Sequence, residues 1–155
     1  HVMCRSEEDR LNLDVWLRQR FSVAHDEPIP SRQTAGIFDP PVLWRYFVQP
    51  RPELATGRTA DDYVVQQVMA IHARLDGTLV VSSGKNMGIF KGVGHPDQIA
   101  QFYRVADYDA YMWTSHTRFP TNTPGWWGGA NRRVEEAVRQ IDQRYPQEPR
   151  KDLRW

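Results

Sequence analysis

The sequence is short of cysteine, of net charge and of long apolar runs. A single cysteine, Cys4, stands among 155 residues. No disulfide can close within the chain, and a reducing, cytoplasmic setting is expected. The formal net charge is +1 although arginine far outnumbers lysine, so neither nucleic acid nor an acidic lipid surface has an electrostatic hold on it. No apolar run approaches the roughly 20 residues that span a bilayer, and no secretory leader is read at the start. Neither a nucleic-acid nor a membrane partner is expected. The opening "HVMC" carries no initiator Met and reads as the inside or end of a strand, which points to a fragment.

What the chain has in quantity is flat side chains. Six Trp, six Tyr and six Phe, in a composition 40% hydrophobic and 25% charged, are material for one ordinary globular domain. "RSEEDRLNLDVWLRQRF" begins with Ser6 and, three residues on, Asp9, a capping-box-like start with Glu7 and Glu8 at the positive end of the dipole. Leu13, Trp16, Leu17 and Phe21 form its apolar stripe. "SVAHDEPIP" reads as a short strand running into a loop punctuated by Gly36, Pro40 and Pro41, and "VLWRYFVQP" as a strong strand. Thr59 can cap "ADDYVVQQVMAIHARL", where Val64, Val68, Ile71 and Leu75 share a face that Val65, Met69 and His72 widen. "GTLVVSSG" and "NMGIFKGVG" read as two strands joined by a turn at Gly84-Lys85-Asn86. His95-Pro96-Asp97 opens a short helix with Ile99, Phe102 and Tyr103 inward, and "YDAYMWTSH" reads as a last strand. Residues 131–155 read as a charged helix with a polar tail.

This order implies an α+β sandwich: helices against a largely antiparallel sheet, on the plan of split β-α-β layouts. Residues 1–130 form the main domain and 131–155 an appendage.

Most chemistry-bearing residues have plain explanations. The five histidines stand singly, without a His/Cys/Asp pair at ligand spacing, so no metal and no other cofactor is expected. His72 reads as the border of a helix's apolar face. "MGIFKGVG" lacks the Gly-Lys-Ser/Thr ending of a phosphate loop and reads as a strand kinked at Gly88, Gly92 and Gly94. With "RYFVQ" it faintly suggests the aromatic platform of a single-strand-binding sheet, which the near-neutral charge opposes. Cys4 beside Arg5 reads as a small strand hydrophobe rather than an activated thiolate.

"YMWTSHTRFPTNTPGWWGGA", Tyr111 to Ala130, differs in kind. Arg118 at a strand's end offers a fork of donors for a carboxylate, with Thr121, Asn122 and Thr123 close in sequence. Pro120 and Pro124 stiffen the loop, and Trp126 and Trp127 can shut out water on one side. Two readings fit these residue types equally: a pocket wall, or a Pro/Gly loop packed on its own Trp pair with Arg118 stacked upon it.

"SHTRFPTNTPGWWGGA" resembles the glutamine-binding segment of class II glutamine amidotransferase domains of the glutamate synthase type. The similarity runs back through "KNMGIFKGVG", "VLWRYFVQP" and "SEEDRLNLDVWLRQRF", so it covers Val2 to Ala130. The resemblance implies part of an α-β-β-α sandwich of the N-terminal-nucleophile class, a domain that hydrolyses glutamine and passes ammonia to a synthase domain or subunit. It implies that Arg118 holds the glutamine α-carboxylate, with Thr121 near the substrate and Phe119 and Asn122 beside them. The departures are equally specific. The family's nucleophile opens its domain as Cys-Gly-Ile or Cys-Ala-Ile, which "HVMCRSEED" does not match, so no catalytic residue is assigned here. The His-Asn-Gly-Glu that builds the oxyanion hole is missing, and Asn131-Arg132-Arg133 follows Ala130 directly. A chain without either group is expected to be inactive by itself. The alternative is a non-catalytic amino-acid-binding or subunit-interaction module, and sheet edges left unpaired would favour a homo-oligomer.

Overall fold

The computed structural model describes residues 1–116 and Trp127. The first strand, β1 (Val2–Cys4), leads into α1 (Glu7–Arg20) through Ser6, whose hydroxyl accepts the Asp9 N–H at 3.2 Å. The helix stops where Phe21 turns extended and opens β2 (Phe21–Pro28). After a Pro-rich loop come β3 (Val42–Pro50), α2 (Ala60–Arg74) capped by Thr59, and β4 (Thr78–Val80). A short α3 (Pro96–Phe102) and a 3-10 turn (Val105–Asp107) follow.

The four strands form one antiparallel sheet in the order β2-β3-β1-β4. α1 and α2 each join two strands that run the same way with a third inserted between them. β3 separates β1 from β2, and β1 separates β3 from β4. That is the split β-α-β plan expected from the sequence, and the fold is α+β.

Alternation on β1 sends its residues to two different cores. Val2 and Cys4 join Leu13, Leu17, Phe21, Tyr63 and Ile71 beneath α1 and α2. Met3 joins Leu43, Leu79, Val81, Phe102 and Tyr103 beneath α3. The sheet is thus covered by two helices on one side and, over β1, β4 and the start of β3, by α3 on the other.

Several elements differ from the sequence reading. Phe21 belongs to a strand rather than to the helix stripe. On α2 the buried residues are Tyr63 and Ile71, while Val65 and Met69 are exposed. The helix presents a narrow face to the sheet, not the wide one expected. Neither Asn86–Gly94 nor Tyr108–His116 is a strand. One cause is the state of β4's outer edge. The Val80 N–H donates to His72 Nε2 at 3.0 Å and the Thr78 N–H to the Leu75 carbonyl at 3.4 Å. With both outward donors taken, a further strand finds no ladder there. Asn86–Gly94 instead docks through side chains. The Ile89 N–H donates to Ser82 Oγ at 3.2 Å, and the Lys91 carbonyl accepts the Tyr103 hydroxyl at 2.5 Å.

Candidate functional site

All four residues expected to meet a substrate, Arg118, Phe119, Thr121 and Asn122, lie outside the described residues. The surroundings of that segment are nevertheless defined on both sides. On its C-terminal side the Trp127 indole N–H donates to the Phe38 carbonyl at 2.9 Å, and its ring lies 6.0 Å from Phe102. Gly92 makes this docking possible, because a Cβ there would run into Ile99 and press on Trp127. On its N-terminal side Tyr108 packs on Phe90 at 5.2 Å and meets the Trp113 ring edge-on at 6.5 Å. Phe90 in turn lies 5.0 Å from Tyr103, which touches Phe102. A continuous aromatic layer on and around α3 therefore links Trp113 to Trp127. Burial pushes the Tyr103 hydroxyl well above the ordinary tyrosine range and raises that of Tyr108 as well. Tyr111 and Met112, between Tyr108 and the segment, are exposed.

Cys4 is fully buried in the core under α1 and α2, and burial pushes its thiol up to about 11. A nucleophile needs the opposite on both counts. The expectation of an inert strand residue matches this placement. Among the described residues no three His, Cys, Asp or Glu side chains converge as a metal site requires. No described helix is long and apolar enough to cross a membrane.

A second cluster was not visible in the sequence. β2 and β3 are out of register between Val23 and His25, where Ala24 is left without a partner in the ladder. This bulge reverses the side-chain alternation. Phe21 and Val23 face the helices, but beyond the bulge Asp26 does so, while His25 and Glu27 turn to the other side with Arg45 and Phe47. There Arg45 donates to Glu27 through Nε at 2.9 Å and Nη2 at 2.6 Å. His25 Nε2 lies 3.6 Å from the same carboxylate, and its ring is 5.8 Å from Phe47. The Arg45 guanidinium, then the His25 ring, hold the Glu27 carboxyl below its usual range. On this face of β3 Leu43 is buried in the core beneath α3, whereas Phe47 is 49% exposed.

No family model and no solved structure matches the chain. It is similar to a protein of Archaeoglobus fulgidus described only as uncharacterized, with 47% identity over 135 residues. That match covers 84% of this chain and 36% of the archaeal protein. The chain therefore spans little more than a third of the length of the curated relative.

Proposed function

We propose that this chain is part of a class II glutamine amidotransferase domain and carries its glutamine-carboxylate wall. Arg118 holds the α-carboxylate, with Phe119, Thr121 and Asn122 around it. The observation that carries this reading is the run His116-Thr-Arg-Phe-Pro-Thr-Asn-Thr123, far longer than a two-residue motif. It is supported by the aromatic layer from Trp113 to Trp127, two residues that flank that run in the sequence. Buried Cys4 fits a chain whose nucleophile lies elsewhere, and coverage of 36% of the archaeal relative leaves room for it. On this reading the split β-α-β lobe belongs to a larger α-β-β-α sandwich, and ammonia passes to a synthase domain or subunit in the cytoplasm.

Calorimetric titration with glutamine tests it. Arg118→Ala removes one partner of a charged pair, which costs about 2–5 kcal/mol when that pair is desolvated. Binding should then fall at least about 30-fold. Equal affinity of the variant and the parent chain would sink the assignment. Ammonia release should be absent from both the chain and Cys4→Ala.

A second reading, a non-catalytic subunit-interaction module, is favoured by the exposed Phe47 on the outer face of β3. Sedimentation velocity separates the two. A monomer that binds glutamine supports the first reading, and an oligomer indifferent to glutamine the second.

A further inference from the structure

Ten arginines lie in residues 1–116, and six of them pair with carboxylates: Arg5, Arg10, Arg18, Arg45, Arg51 and Arg104. Among the described residues Arg20, Arg32, Arg58 and Arg74 have no such partner. Two of these four, from different helices, converge on one ring. The Arg20 guanidinium carbon sits 3.6 Å from the Trp16 ring centroid and that of Arg74 lies 5.8 Å from it.

Each arginine ends a helix, where a cation offsets the negative end of the dipole. That explains one arginine per helix but not their meeting over a single indole, where the two charges repel. Burial, and then the charge of Arg74, disfavours the Arg20 cation. Of the Arg20 donors only Nη1 is engaged among the described residues, with the Trp16 carbonyl at 3.2 Å and the Gln19 carboxamide at 3.1 Å. Arg58 adds to the positive field, since its charge and that of Arg20 both act on Tyr63. Glu53, the carboxylate whose charge reaches Tyr63, is 3.8 Å from Arg51.

We propose that Arg20 and Arg74, laid against Trp16 where α1 meets α2, form a binding site for an oxyanion of the phosphate class. A guanidinium stacked on an aromatic face keeps its N–H edge available, and two such forks match the several oxygens and double charge of a phosphoryl group. A monocarboxylate, with one charge and two oxygens, satisfies only one of them. The site lies on the helical side of the sheet, whereas Trp127 docks on the opposite side. Its occupation is independent of the glutamine reading.

Inorganic phosphate titrated into the full chain at constant ionic strength, followed by the arginine Nε–H resonances, is the test. Constant ionic strength removes general screening. Saturable shifts are expected for Arg20 and Arg74, with acetate at least about tenfold weaker. Arg20→Gln and Arg74→Gln should each weaken phosphate at least about tenfold, as loss of a charge-assisted hydrogen bond implies. Arg104→Gln, the same charge change beyond the other face of the sheet, should leave it unchanged. A phosphate monoester run beside inorganic phosphate distinguishes the two sources: the tighter ligand is the natural class. Shifts no larger than chloride produces, or equal weakening by Arg104→Gln, would overturn the site.

Discussion

Cys4 offers the sharpest check on how this chain relates to glutamine chemistry. Its thiol is buried, and its folded-state value is raised from 9.0 to about 11. At pH 8 that leaves roughly one thiolate per thousand molecules, where an ordinary thiol would be about a tenth ionised. Labelling by a disulfide reagent should therefore be limited by opening of the core and run at least about 1000-fold slower than in denaturant. The same shift sets a stability profile. Below pH 9 the thiol is neutral in both states. Between pH 9 and about 11 the unfolded chain loses the proton and the folded chain keeps it, so stability falls as pH rises and levels off above 11. At 1.36 kcal/mol per unit, the loss amounts to roughly 2–3 kcal/mol. Cys4→Ala lacks this titration but leaves a small void worth about 1–2 kcal/mol. By urea denaturation the parent should exceed the variant by about that amount at pH 7. At pH 11 the gap should vanish or reverse. A gap that stays constant with pH, or native labelling complete within seconds, would refute the placement of Cys4. Ammonia release that disappeared in Cys4→Ala would refute the functional reading with it.

Three further outcomes are expected. Ser6→Ala and Thr59→Ala each remove a hydroxyl that accepts a helix N–H. Each should cost about 1 kcal/mol, and the double variant about 2, since the caps belong to different helices; chemical denaturation checks both. Asp26→Ala takes the partner from the Trp44 indole N–H (3.0 Å) and from Arg18 (2.8 Å); a loss of about 1–3 kcal/mol should appear as a lower thermal midpoint. Gly77 holds φ +75° with Asp9 and Arg5 packed against it, and its carbonyl accepts the Arg5 N–H. Gly77→Ala should lower the thermal midpoint by an amount equivalent to about 1–2 kcal/mol, through left-handed strain.

What was legible in the sequence is what local chemistry decides. Ser6, Thr59 and His95-Pro96 mark helix starts because their side chains or ring geometry act within one turn. "VLWRYFVQP" declares a strand because its residues suit a pleated, half-buried surface. The two strands that failed to form, at Asn86–Gly94 and Tyr108–His116, carry similar residue types. A strand needs a free ladder as well as suitable residues, and His72 and Leu75, remote in purpose from any strand signal, have taken β4's outward donors. The residues proposed to face a substrate were legible only through a resemblance, and they lie outside the described residues.

The outer face of the sheet shows the same limit from another side. Read straight along, Phe21, Val23, His25 and Glu27 alternate onto one face, which would bury a histidine and a glutamate under α1. One unpaired residue at Ala24 reverses the phase, and the charges emerge beside Arg45 and Phe47. The inversion costs one pair in the ladder and exchanges a histidine and a glutamate on the helix side for Asp26 alone, which finds partners there. It also puts Asp26 within reach of Arg18 and Trp44, tying β2 to α1 and β3. Since β2 is an edge strand, the bulge and the terminal Pro28 also hinder pairing with another chain along that edge. Any partner of this half of the sheet therefore has to approach the face that carries Phe47 rather than extend the ladder. A single bulge sets both the polarity of that surface and the direction from which it can be met.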